Sequence, residues 1–170
     1  MMVGVSVSQL EKMVFLDKSS GSLESGIPEE IETRFGKVTL HRDKMVSFPR
    51  GLLGMPEKRN FQVSEFPSDK LRRFKLLQCC DDYALSFITF PIGLENGIIA
   101  AEDLLRASTE LGIQPDNLAV LLIASVHRSP EKVTISVNAR APLLIDASLR
   151  LAAQYVFQTD KYKVQHYITA

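Results

Sequence analysis

The residues able to carry chemistry in this chain are few and stand apart. Cys79 and Cys80 are adjacent, and the acidic pair Asp81-Asp82 follows them directly. The three histidines, His41, His127 and His166, are scattered, each beside polar neighbours at the end of an apolar run. A cysteine nucleophile with His127 as base is one arrangement these types allow. In a strand, however, neighbouring side chains face opposite ways, so the pair implies one buried, structural cysteine and one facing out. A vicinal disulfide between them would be strained, and two acids between apolar runs fit a turn better than a cation site. There is no Gly-rich phosphate loop, no Cys-x-x-Cys, no His-Glu-x-x-His and no Gly-x-Ser-x-Gly. The expectation is a protein with no catalytic residues, no metal site and no cofactor.

Two stretches carry binding chemistry instead. KLRRFK (70–75) sets four positive charges around Leu71 and Phe74. With Phe66 and Phe74 as stacking rings it would hold RNA; as a solvated edge it would discourage strand-to-strand aggregation, and that reading is favoured. SFPRGLLGMP (47–56) places Leu52-Leu53 among two glycines and two prolines, where the chain should turn. Gly51 and Gly54 open turn conformations closed to other residues. Leu52 and Leu53 then either cap one end of a core or form part of a partner surface. The same alternatives hold for Asn138, Ala141 and Pro142. Asn138 falls on the polar face of its strand. Pro142 must sit where no ladder hydrogen bond is needed, at an edge or bulge, and an edge is where a partner can add a strand. Gln78 and Gln154 read as buried polar groups tied to the backbone.

The elements that must position these residues are mostly strands. IETRF and KVTLH flank Gly36, a tight connection, and KMVSF precedes the leucine loop. NFQVSEF alternates, with Phe61 and Val63 on one face and Gln62 and Ser64 on the other. FKLLQCC and YALSFITF flank the Asp81-Asp82 turn. LAVLLIASV (118–126) is apolar enough to be buried on both faces, and KVTISVN (132–138) points Val133, Ile135 and Val137 one way. HRSPEK between them is a short polar hairpin connection, and PLLI, AQYVF and KVQHYI complete the series. One helix interrupts the strands. AEDLLRASTELG (101–112) has an acidic first turn suited to the helix dipole, Gly112 as its stop, and Leu104, Leu105, Ser108 and Leu111 on one side. The pattern gives a mainly β fold, a small, mostly antiparallel barrel-like or sandwich domain with one short helix near residues 101–112.

Composition bounds the remainder. The 170 residues are 45% hydrophobic and 24% charged with net charge +0, which suits one globular domain. That balance disfavours a protein whose affinity comes from neutralising phosphates. Adjacent cysteines close no loop, so a reducing compartment is expected. Residues 1–16 lack the basic start and cleavage site of a signal peptide. No apolar run is long enough to span a membrane, and the expected localisation is cytoplasmic. DKSSGSLESGIPEE (17–30) is polar and aperiodic, so residues 1–30 read as a flexible tail and 31–170 as the folded domain. Within the tail, residues 3–16 have the pattern of a short amphipathic element.

Three segments in order resemble one family. SFPRGLLGMP looks like the F-P-x-G-(L/I)-x-G-F signature of the flagellar assembly factor FliW. LLQCCDDYALSFITFP resembles its LQSLDDPxLSFLVxxP segment. TISVNARAPLLIDASLRLAAQYVF resembles its TVNLxAPIVINxxxxxGxQVVL segment, followed by a closing tyrosine, here Tyr162. The resemblance covers about residues 31–169. It implies a small cytoplasmic β protein without enzymatic activity; no direct contact to nucleic acid or membrane is expected, and of the oligomeric states, which the sequence leaves open, a monomer is favoured. Its partners would be flagellin and, in alternation, the translational regulator CsrA, with Gly51, Leu52, Leu53, Gly54, Asn138, Ala141 and Pro142 as candidate contacts. The chain departs from the family pattern at Met55, where an aromatic is expected, at Ala139, and within 149–153, where a glycine is expected. Family members are often acidic; this chain is neutral.

Overall fold

The structure, a computed structural model, describes residues 27–169; the expected tail falls almost wholly outside them. Eleven strands and one α-helix occur among the described residues. Strands β1 (Glu29–Thr33) and β2 (Gly36–Leu40) form an antiparallel hairpin of their own. β1 thus includes Glu29 and Glu30, two residues placed in the tail by the sequence reading. β3 (Val46–Ser47), β4 (Asn60–Glu65), β5 (Lys75–Cys79) and β6 (Ser86–Ile92) run on to helix α1 (Ala101–Glu110). β7 (Leu118–Arg128), β8 (Val133–Val137), β9 (Leu143–Asp146), β10 (Leu151–Gln154) and β11 (His166–Ile168) follow.

The long strand β7 makes this sheet a barrel. Its first half, Leu118–Leu121, pairs with β9, while Ala124–Arg128 pairs along the same edge with β8. Its opposite edge pairs with β6. Following the neighbours β7, β6, β5, β4, β3, β10 and β9 therefore returns to β7. β8 and β11 extend from the ring as a flap. Only the β3–β10 contact is parallel, through the single pair Ser47 and Leu151. The barrel-like expectation was the right one of the two offered.

Three apolar clusters explain which residues are buried. The ring interior holds Val46, Phe48, Phe61, Leu77, Leu121 and Leu143, among others. Outside the ring, α1 covers Leu118, Val120 and Leu122, and the β1–β2 hairpin covers Leu76 and Cys80. The start of β7 is thus lined with apolar partners on both sides, as its sequence requires, and each such leucine contributes roughly 1.5–3 kcal/mol. From Ser125 the strand leaves the core, and Ser125 and Val126 are exposed. In β8 the expected apolar face is only partly covered, since Val133 near the flap tip is exposed. α1 buries Leu104, Ala107 and Ser108. Leu111, expected on that face, is instead exposed, because the helix ends at Glu110 and the chain turns at Gly112.

The covering hairpin also corrects the reading of the cysteines. Both are buried and free, Cys79 in the ring interior and Cys80 beneath the hairpin. Alternation does send them to opposite faces, but both faces are covered. Gln62, on the outer face of β4, survives burial by the same contact. Its amide donates to the Thr39 carbonyl at 3.0 Å, and its Oε1 accepts from the His41 N–H at 2.6 Å.

Candidate functional site

The loop 47–56 is built by its glycines. Gly51 has φ 67°, and a Cβ there would lie 2.5 Å from the Met55 carbonyl oxygen, so any side chain would displace backbone. Gly54 has φ 79° with open space around it and serves as the third residue of a tight turn. That turn is closed by hydrogen bonds between Leu52 and Met55 in both directions, at 2.9 and 3.3 Å. Leu52 enters the ring interior at 3% exposure, and Met55, in place of the family's aromatic, packs half-buried against the same cluster. Leu53, on the outside of the turn, is 57% exposed. The two leucines therefore divide the two readings between them.

The second candidate stretch lies against the first, and Gln154 joins them. Its Oε1 accepts from the Leu53 N–H at 2.9 Å, and its Nε2 donates to the Ala141 carbonyl at 3.2 Å. Ala141 N–H in turn donates to Asn138 Oδ1 at 3.0 Å. One side chain from β10 thus holds the leucine turn and the Asn138–Pro142 turn in fixed register. Ala141 and Pro142 are buried and Asn138 is half-buried. The atoms available to a partner are those of Leu53, Gly54 and the rim of Asn138; Gly51, Leu52, Ala141 and Pro142 shape the surface from beneath. The expected open edge at Pro142 is not there. Pro142 immediately precedes β9, which is bonded to β10 on one side and β7 on the other. β11, the last strand of the flap, has a strand partner on one side only.

The rival chemistries fare differently in three dimensions. Burial pushes the Cys80 thiol up to about 11, and burial also raises that of Cys79, so neither forms a ready thiolate near neutral pH. His127 lies elsewhere, its Nε2 2.7 Å from Ser136 Oγ. His41 and His166 join no cluster with other ligating residues, and no group of three or more metal-ligating side chains occurs among the described residues. Asp81 accepts from the Asn60 amide, and Asp82 pairs with Lys58 at 3.2 Å while capping its own turn through the Ala84 N–H. The basic cluster disperses. Lys75 is buried in an ion pair with Glu65, Arg72 pairs with Asp69 at 3.5 Å, and Arg73 lies over Phe90 while donating to the Thr169 carbonyl at 2.8 Å. Phe74 is buried and Phe66 packs edge-on against Phe35, so neither ring is free to stack on a base.

A protein-family model described as "FliW protein" matches residues 30–168. The chain belongs to the FliW family. It is 31% identical over 139 residues to the flagellar assembly factor FliW of Oceanobacillus iheyensis, covering 80% of this chain and 91% of that one. It is 27% identical over 146 residues to the flagellar assembly factor FliW of Leptospira interrogans serovar copenhageni, covering 82% and 92%. A crystal structure of the flagellar assembly factor FliW superposes with TM-score 0.61 over 82% of this chain and 96% of that one, at 23% identity. That likeness establishes a shared fold. The three sequence segments that resemble FliW now have places in it: one is the leucine turn, one forms the β5–β6 hairpin, and one runs from β8 through the Gln154 clamp. Within the last, Tyr162 closes the fold. Its hydroxyl accepts from the Ala100 N–H at 3.1 Å and donates to Asp103 of α1.

Two features escaped sequence reasoning. The bridging role of Gln154 needs three segments at once, although its attachment to backbone was foreseen. The exposed leucines Leu149 and Leu151, at 67% and 44%, gave no signal within an apolar segment.

Proposed function

We propose that this chain is a non-enzymatic flagellar assembly factor of the cytoplasm that binds unassembled flagellin one to one. The surface is the leucine turn together with the Asn138–Pro142 turn. The observation that carries this is Gln154, which fixes the two turns to each other and leaves Leu53 displayed at their junction. An exposed apolar side chain on a turn already held by hydrogen bonds loses little freedom when a partner covers it, which favours binding. FliW membership supports the flagellar partner, and the burial of both thiols and the dispersal of the basic cluster argue against a thiol enzyme and an RNA-binding surface. CsrA, the second partner, competes with flagellin or weakens its binding, so that the pool of free flagellin governs its own translation. This is linkage between two ligands that disfavour each other.

Titration calorimetry with flagellin monomer from the same organism tests the reading, without nucleotide or metal. A one-to-one complex with a strongly negative heat capacity change is expected, because ordering flagellin segments buries apolar surface. Leu53→Asp should weaken that complex while leaving the fold intact. No complex at roughly tens of micromolar, a free energy short of about 6 kcal/mol, with both proteins folded, would remove the flagellin partner and leave the family assignment alone.

A further inference from the structure

The β1–β2 hairpin leaves one edge of β2 open: among the described residues, β2 pairs with β1 and with no other strand. Around the two-residue turn Arg34-Phe35 the register joins Gly36 to Thr33 and Val38 to Ile31. Bonded residues alternate along such a pair, so Lys37, Thr39 and His41 direct their N–H and C=O groups away from β1. Gln62 already meets that edge as a peptide group would, donating to the Thr39 carbonyl and accepting from the His41 N–H. Beyond Gln62, the Thr39 N–H and both backbone groups of Lys37 have no hydrogen-bond partner among the described residues. They border a slot of about 270 Å³ that Lys44, Ser64, Glu65 and Pro67 complete. Pro67 packs against Gly36 at one end, its Cγ 3.3 Å from where a Cβ would stand. Ser64 Oγ is buried and has no hydrogen-bond partner.

We infer that this slot receives an extended acidic segment of a partner protein, added to β2 as the third strand of the hairpin's sheet. Main-chain bonds to Lys37 and Thr39 supply the attachment. Charge selects the occupant. Lys37 and Lys44 border the slot, and its one acid, Glu65, is already paired with Lys75. The Lys37 contact to Glu30, at 3.4 Å between exposed side chains, is a surface pair of little worth and yields to a better partner. In β2, Lys37 and Thr39 face outward while Val38 and Leu40 are buried, and a strand laid alongside alternates in step. Its residue opposite Lys37 exchanges bonds with Lys37 and shares its outward face, where an acidic side chain is the favourable cross-strand neighbour. Its inward residues flank Val38 and suit small apolar side chains. A second copy of this chain fits poorly, because pairing two such edges brings Lys37 and Lys44 of both copies together; a lysine on an open edge guards against that contact. The slot lies at the Glu65 end of β4, whereas the leucine turn precedes its Asn60 end. The inference thus goes beyond the flagellin surface and does not rest on it.

Fluorescence anisotropy with the full-length protein tests this, using a short labelled peptide of alternating aspartate and valine. Saturable binding is expected, and the lysine–valine counterpart should bind about tenfold more weakly or worse. Methylating the aspartate amides, which face β2 in the inferred register, should abolish binding, while methylating the valine amides, which face away, should not. Lys37→Glu should weaken the aspartate peptide and strengthen the lysine peptide. Lys37 is exposed, so circular dichroism should be unaltered by the change. Equal binding of the two peptides, or of the two methylated forms, would overturn the inference. No binding of the aspartate peptide at millimolar concentration would overturn it too, because the edge would then be closed or held by the chain itself. Self-association in sedimentation that Lys37→Glu alters would assign the slot to a second copy and also overturn it. No flagellin is present in this experiment, so its failure is distinct from failure of the proposed partner.

Discussion

At Leu52 and Leu53 identical side chains meet opposite environments, 3% exposed in one case and 57% in the other. The difference is set by a turn whose two ends are hydrogen-bonded and whose glycines accept positive φ, so neither leucine can exchange places with the other. Substitution should separate them cleanly. Leu52→Asp places a carboxylate in the ring interior and should cost several kcal/mol. Leu53→Asp should shift stability by no more than about 0.5 kcal/mol, as at an ordinary surface position. Urea denaturation of the two variants is the measurement. Equal losses would mean that the turn has no inside and outside. Both residue types and the turn itself were legible in the loop's sequence. Which leucine faced inward was not, because an irregular loop has no side-chain period to read.

Among the elements, α1 shows how one carboxylate can fasten a helix to a distant segment. Asp103 in its first turn accepts from the Tyr162 hydroxyl, from Lys161 Nζ at 2.9 Å and from Arg106 at 3.1 Å. The Tyr162 hydrogen bond, followed by that of Lys161, holds the Asp103 carboxyl below its ordinary 3.8. A carboxyl whose pKa is lower in the folded state stabilises the fold above its unfolded value, and that stabilisation is lost as pH falls through the folded value. Asp103→Asn should therefore cost about 1–2 kcal/mol at neutral pH, the scale of hydrogen bonds to a charged group. The gap to the unaltered protein should narrow below about pH 4, near the ordinary carboxylate range. Denaturant titrations at neutral pH and near pH 3 would show this; a gap that ignores pH would mean the carboxylate acts only by shape.

Over the whole molecule, the β1–β2 hairpin behaves as a lid on the outer wall of the barrel. It buries Leu76 and Cys80 and is pinned by Gln62 and by the Tyr83 hydroxyl, which donates to Glu29 at 3.0 Å. A chain that begins at Pro28 keeps the hairpin and should retain a single cooperative transition. One that begins at Gly36 loses β1 and uncovers that wall. It should lose several kcal/mol by apolar exposure, and Cys80 should become open to alkylation without denaturant. If the longer of the two chains failed to fold, residues 1–27 would belong to the core. Alkylation of Cys80 as slow in the shorter chain as in the longer would mean that the hairpin is no lid.

The sequence alone determined most of the strands, the single helix with its stop, the three hairpin turns and the family. These depend on local periodicity, on turn chemistry, and on residue types whose backbone demands are intrinsic. Tertiary structure decided what covers each face. LAVLLIASV announces burial on both sides because the run itself is apolar, but KLLQCC does not say that its outer face lies under a hairpin formed some forty residues earlier, counted along the chain. The chemistry of the cysteines turned on that contact, since burial and not neighbouring sequence raises a thiol's pKa. Ring closure was hidden for the same reason. β7 carries β9 and β8 on successive halves of one edge, and β3 meets β10 through Ser47 and Leu151 from far along the chain, a pairing that leaves no mark on either strand alone. The candidate site depended on closure as well: Gln154 reaches Leu53 and Ala141 only once β10 stands between β3 and β9.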